Sequence, residues 1–280
     1  MIVDTHTHIW RHPGQLTDEF VAEANRMRAE PISMDVSPEQ YLAAMQPVDR
    51  AIVLAFDAPH SGIRVPNDYV ADVVRAAPNK LIGYLSVDPR RPNALEEMER
   101  AHGDLGLRGL KISPIYQNFD PHSVEALRVF KRAEELRLPV LIHQGATFPR
   151  RAPLKWANPV LLEDIALLCP ELRLVIAHLG HPWEAETIVL IRKQPHLYAD
   201  ISGLFYRPWQ FFNSLRLAVE YSVADKLLFG TDYPIATYQE TVDGLRQIPR
   251  LGEGTNLPRV PERVIERMLE RNPLPLLGLE

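Results

Sequence analysis

The sequence predicts an α/β fold, a TIM (β/α)8 barrel in one domain over residues 1–280, and three observations predict it. Short β-rich runs that end in turn residues recur eight times. Stretches with helical spacing separate them, the alternation that builds parallel βαβ units. Several runs are too apolar to present a wet face, as expected where helices cover a sheet. Eight such units in about 250 residues is the measure of a barrel. A doubly wound open sheet is the alternative, but no Gly-rich phosphate turn follows the first strand.

In chain order the strands are expected at 2–8 (IVDTHTH), 50–56 (RAIVLAF), 81–87 (LIGYLSV) and 107–113 (LRGLKIS), then at 138–144 (LPVLIHQ), 172–178 (LRLVIAH), 197–203 (LYADISG) and 227–233 (LLFGTDY). Between the first two lies a long segment, about residues 9–49, whose stretches TDEFVAEANRMRAE and PEQYLAAMQ read as a helical insertion over the barrel mouth. NDYVADVVRAA, NALEEMERAH, NPVLLEDIALL and PERVIERMLERN read as further helices, several opened by Asn, Ser or Pro. In residues 122–136 the residues Val124, Leu127, Phe130, Ala133 and Leu136 predict a buried stripe.

The composition is that of a soluble globular protein, 46% hydrophobic with a net charge of −5. No basic stretch suggests nucleic acid, and no apolar run nears the roughly 20 residues that span a bilayer. The N-terminus enters its first strand without the basic and apolar regions of a signal peptide. Cys169 is the only cysteine, so an intrachain disulfide is excluded, and its apolar neighbours mark it as a buried hydrophobe. We therefore expect a cytoplasmic protein that takes a small-molecule substrate, with neither nucleic acid nor membrane as partner and a homodimer as the default assembly.

The chemistry concentrates in IVDTHTH. On a regular strand Asp4, His6 and His8 share one face, and two imidazoles there can turn toward one metal ion. Barrel sites are built at the C-terminal ends of strands. The metal-capable or ionisable residues at those ends are His6 and His8 on the first strand, Lys111 on the fourth, His143 on the fifth, His178 on the sixth and Asp232 on the eighth. Residues repeating at the βα period converge in a closed barrel. The imidazoles of His6, His8 and His143 with the carboxylate of Asp232 suit a divalent transition ion: zinc, manganese, cobalt or iron. They suit neither calcium nor a thiolate site. His178 then remains as a general acid–base or a further ligand.

These residues carry a resemblance. DTHTH at 4–8, GLKISP at 109–114, LIHQG at 141–145, AHLGHPW at 177–183, LLFGTDYP at 227–234 and NPLPLLGL at 272–279 occur in order. Together the motifs are similar to those of the amidohydrolase superfamily, in the branch that includes aminocarboxymuconate-semialdehyde decarboxylase. The resemblance implies a distorted barrel holding one divalent metal, commonly zinc, through His6, His8, His143 and Asp232. It also implies that His178 positions or deprotonates a water, and the branch contains hydrolases of lactones, esters and amides. The alternative is non-oxidative decarboxylation of an aromatic or dienoic carboxylate. Some decarboxylases of the branch carry Glu-x-His where this chain has His6-x-His8, which favours hydrolysis or the semialdehyde-decarboxylase type.

Lys111 is open between three roles: contact to a substrate carboxylate as a point charge, ranked first, a carboxylated bridge between two ions, and a surface salt bridge. Asp4 is a candidate for orienting an imidazole. Trp10, Trp183, Phe205, Tyr206 and Trp209 can line an aromatic pocket, His181 can bond a loop or a substrate, and of Asp57, Asp88 and Asp200 at least two should be structural. A barrel that only binds metal or ligand is the non-enzymatic alternative, which the intact set of ligand-type residues disfavours.

Overall fold

With apolar residues on both faces, these strands have no side to leave in water, and the sheet closes on itself. In the computed structural model, which describes residues 1–26, 28 and 30–280, eight parallel strands follow one another in chain order. They are β1 (Val3–His8), β2 (Arg50–Leu54), β3 (Leu81–Ser86), β4 (Gly109–Ile112), β5 (Val140–Ile142), β6 (Leu174–Ile176), β7 (Leu197–Asp200) and β8 (Leu227–Leu228). Backbone hydrogen bonds join the two edges: Thr5 N–H donates to the Phe229 carbonyl at 3.0 Å, and His8 N–H to that of Tyr233 at 2.7 Å. This is the expected TIM barrel.

Side-chain alternation sorts the strands into two shells. Val53, Leu85, Leu110, Ile142 and Ile176 pack outward with the helices. Ile52, Leu54, Tyr84, Leu141, Val175 and Tyr198 fill the interior. Gly109 makes room for Tyr84, because a Cβ there would stand 2.4 Å from the ring. Below, the last helical turn, Leu274–Leu277, and Leu279 pack onto Val3 and Tyr84 and close the floor.

Several strands stop earlier than their sequence suggests. β8 ends at Leu228 and β6 at Ile176, and the residues beyond turn out of the ladder. His178 and Asp232 adopt left-handed backbone, φ 54° and 65°, which no strand can continue. A short antiparallel hairpin, Phe56–Ala58 with Ile63–Val65, was not anticipated.

The helices fall where expected, at Asn67–Ala76, Ala94–Gly103, Val124–Glu135 and Glu262–Glu270. NPVLLEDIALL begins as a 3-10 turn, Pro159–Leu162, before the helix Glu163–Leu168. The predicted stripe over 122–136 needs correction. Ala126, Val129, Phe130 and Ala133 are buried, whereas Val124 is 71% exposed. Steps of three residues drift by roughly 60° each on a helix of 3.6 per turn, so a stripe begun at Val124 leaves the buried face.

The insertion forms the helices Asp18–Asn25, capped by Thr17, and Pro38–Ala44, opened by a Ser37–Gln40 capping box. Met27 and Ala29 of its first predicted helix lie outside the described residues. The insertion does roof the mouth: Trp10 stacks on His8 with ring centroids 4.7 Å apart, and Phe20 meets Phe148 at 5.1 Å. Among the described residues no helix is long and apolar enough to cross a membrane.

Candidate metal centre

The six residues singled out at the strand ends meet at the barrel mouth. Nε2 of His6 and Nε2 of His8 are 3.3 Å apart. Oδ1 of Asp232 lies 3.5 Å from the first and 3.4 Å from the second. Lys111 Nζ is 3.3 Å from His6 Nε2. The His178 ring stacks on His6 at 4.9 Å and meets the His143 ring edge-on at the same separation. His178 also offers a ligand atom within 4.8 Å of those of His6 and Asp232, so position alone does not separate it from the four ligands the sequence suggested.

β1 does not deliver its residues by simple alternation. Asp4 pairs with Ala51 and Thr7 with Val53, so three steps on β1 match two on β2, and a bulge intervenes. Asp4 therefore shares the outward register of Ala51, while His8 stands beside inward Leu54. The expectation that Asp4 shares the histidine face and orients an imidazole is corrected. Asp4 accepts hydrogen bonds from Thr231, from N–H at 3.0 Å and from the hydroxyl at 2.7 Å, and anchors the start of the Asp232 turn. Burial raises its carboxyl to about 7. Asp232 N–H in turn donates to the His6 carbonyl at 2.8 Å.

Asp200, at the end of β7, orients the His6 ring. Its Oδ2 lies 2.9 Å from His6 Nδ1, and its Oδ1 accepts from His178 N–H at 2.9 Å, Ser202 N–H at 3.0 Å and the Ser202 hydroxyl at 2.5 Å. Burial would raise this carboxyl, but His6, His178 and Ser202 outweigh it and hold it below the usual range. His178 Nδ1 is 3.0 Å from the Ser202 carbonyl, which can only accept, so that nitrogen carries the proton and Nε2 keeps its lone pair. Beyond β5, Gly145 takes φ 108° where a Cβ would meet the His181 carbonyl at 2.4 Å, which lets the His143 loop lie against the His181 loop.

Burial, with the Lys111 charge second, pushes His6 down to about 3 and lowers His8. It also lowers His143, helped by His178 and then Lys111. The three rings are thus neutral, the state a metal ligand needs. Lys111 is 1% exposed, which excludes a surface salt bridge, and burial lowers its ammonium to about 8.

A metal fits these residues. Bonds of about 2.0–2.2 Å to a tetrahedral ion set ligand atoms roughly 3.3–3.6 Å apart, the spacing found among His6, His8 and Asp232. His143 Nε2 is buried without a hydrogen-bond partner, which is costly unless another group satisfies it.

The softer candidates divide. Trp10 is buried against His8, while Tyr206 and Trp209 are exposed. His181 bonds Glu184 at 2.7 Å, and Asp57 pairs with Arg91 and Asp88 with Arg90, each at 2.8 Å. Sequence reasoning missed Ser202 and Thr231. Both lie within the last three residues of predicted strands, 197–203 and 227–233, but a lone hydroxyl there carries no signal until its partner is known.

Fold and cluster together define a (β/α)8 barrel with a metal-capable histidine–aspartate centre at its C-terminal mouth. The chain belongs to the amidohydrolase family, whose family model matches residues 3–279. Its fold is similar to that of an uncharacterised TIM-barrel protein from Bordetella bronchiseptica, at 20% identity over 99% of this chain and 98% of that one, with a TM-score of 0.77. A probable 2-pyrone-4,6-dicarboxylic acid hydrolase from Acinetobacter baumannii, solved with citric acid bound, matches at 16% identity over 99% of both chains, TM-score 0.69. A 5-carboxyvanillate decarboxylase from Sphingomonas paucimobilis matches at 19% over 100% and 99%, also with a TM-score of 0.69.

Proposed function

We propose that this chain is a metal-dependent hydrolase acting on a lactone, ester or amide of a small carboxylate-bearing substrate. One observation carries the reading: Nε2 of His6, Nε2 of His8 and Oδ1 of Asp232 stand 3.3–3.5 Å apart around a common point. His6, His8 and Asp232 would hold a divalent ion, zinc first, with His143 as the fourth ligand. Such an ion, when bound, supplies Lewis acidity that lowers the pKa of a water from about 15.7 to about 7. Asp232, whose side chain is 15% exposed and so faces the open side, takes the proton of the attacking water. His178, whose Nε2 keeps its lone pair, acts first as a base there: it takes over the proton that Asp232 has received and then passes it to the leaving group. Lys111 holds a substrate carboxylate as a point charge, which compensates its buried ammonium.

Decarboxylation of an aromatic or dienoic carboxylate is the second reading. Buried Lys111 supports it equally, since a cation beside the centre suits a carboxylate in either reaction, and the decarboxylase among the similar folds adds weight. Screening lactones and esters against aromatic carboxylates while following CO₂ separates the two. Ring opening without CO₂ supports the hydrolase, and CO₂ release overturns it. Elemental analysis should find about one tightly bound ion per chain. Two ions with extra mass on the lysine nitrogen would assign Lys111 a bridging role instead, and no restorable ion would leave a ligand-binding barrel.

A further inference from the structure

We propose that Asp200 is a positioning residue that selects which nitrogen His6 presents to the metal, an inference that rests on the reading of His6 as a ligand. An ionised carboxylate only accepts hydrogen bonds. With Asp200 Oδ2 at 2.9 Å, His6 Nδ1 must carry the proton. Nε2 therefore keeps its lone pair on the side of His8 and Asp232.

The other oxygen makes the arrangement unforgiving. Oδ1 accepts from two backbone N–H groups, of His178 and Ser202, and from the Ser202 hydroxyl. An asparagine at this position has to turn its carbonyl oxygen toward those three donors. Its NH₂ then faces His6 Nδ1, which must accept, and the ring proton moves to Nε2. The nearest isostere thereby removes the ligand atom. Alanine leaves three donors without an acceptor, and the Ser202 hydroxyl, 3.2 Å from His6 Nδ1, can donate to that nitrogen or accept from it, so no tautomer is imposed on the ring.

The two roles that Asp200 can play thus rank the variants in opposite order. If it only supports the loop, Asp200→Asn is the mild change and Asp200→Ala the harsh one. If it selects the nitrogen, Asp200→Asn binds metal more weakly than Asp200→Ala although it is the more stable protein.

The test measures zinc affinity by chelator competition in wild type, Asp200→Asn and Asp200→Ala, with ¹⁵N spectra of the metal-free His6 ring assigned by difference from His6→Gln. We expect Asp200→Asn to bind about 10–100-fold more weakly than wild type and more weakly than Asp200→Ala. The ring proton should sit on Nδ1 in wild type and on Nε2 in Asp200→Asn. Affinity that follows stability, or a ring proton that stays put, overturns the proposal. If Asp200→Ala does not fold, the spectra of the other two proteins decide. Wild type that takes up no zinc would refute the metal reading, while the ring spectra still judge the positioning role.

Discussion

His6 and His8 reach the centre from the extended backbone of β1, whereas His178 and Asp232 reach it from left-handed residues just beyond β6 and β8. The strand side is held by ladder hydrogen bonds to β2, with one bulge to set its register. On the turn side the ladder thins to single backbone bonds, Asp232 N–H to the His6 carbonyl and His8 N–H to that of Tyr233. A non-glycine residue in left-handed backbone is held against a cost of order 1–3 kcal/mol, and here two buried carboxylates outside the ligand set add to the hold. Asp200 accepts from His178 N–H, and Asp4 accepts from Thr231 beside Asp232. Damage on the strand side should therefore remove a ligand and little else. Damage on the turn side should spread through hydrogen bonds.

The largest effect should come from removing a ligand. His6→Ala or His143→Ala is expected to hold well under one zinc or manganese ion per chain by elemental analysis, against wild type treated identically. Full occupancy in either variant would break the strand side of the comparison. Next is His178→Asn, expected to keep its metal and to lose about 10²–10⁴ in kcat with little change in KM. A metal-free His178→Asn protein would show that His178 is itself a ligand. Near-normal turnover with metal retained would move the acid–base role to Asp232.

Lys111→Met should raise KM roughly 10–100-fold, the scale of a lost hydrogen bond to a charged group at about 1.5–3 kcal/mol, without emptying the site. It also has a pH signature in the metal-free chain. The folded lysine loses its proton near 8, while in the unfolded chain it does so near 10.5. Between those values the unfolded state binds more protons, so wild-type stability rises with pH there and falls as pH drops toward 8. Denaturant midpoints of Lys111→Met against wild type should lack that rise. The smallest effect is Thr231→Val, which leaves Asp4 Oδ2 without its hydroxyl donor. It should cost about 1–3 kcal/mol in equilibrium unfolding, and an unchanged midpoint would mean that Asp4 does not hold the turn.

The same contrast explains what could be read in advance. Strand placement, the barrel and all six convergent residues were legible, because apolar runs and their period are local properties of the sequence. The roof was legible in outline from its length and helical stretches. The facing of Asp4 was not, because the bulge between Asp4 and Thr7 depends on β2, with no mark in IVDTHTH itself. The hold on His178 was equally hidden: Asp200 and Ser202 are 22 and 24 residues away, and their partnership exists only once β6 and β7 lie side by side. The early end of β8 reflects a turn built by contacts to Asp4 and His6, and the hydrophobic pattern of LLFGTDY continues past it.

The floor of the barrel has a consequence for traffic. The barrel interior is packed with side chains, and Leu274, Leu277 and Leu279 cover its far end, so the centre is reached only from the mouth under the roof of residues 9–49. Whatever enters must leave by the way it came. A spent molecule lingering at the threshold excludes a fresh one, and inhibition by product should be competitive with substrate.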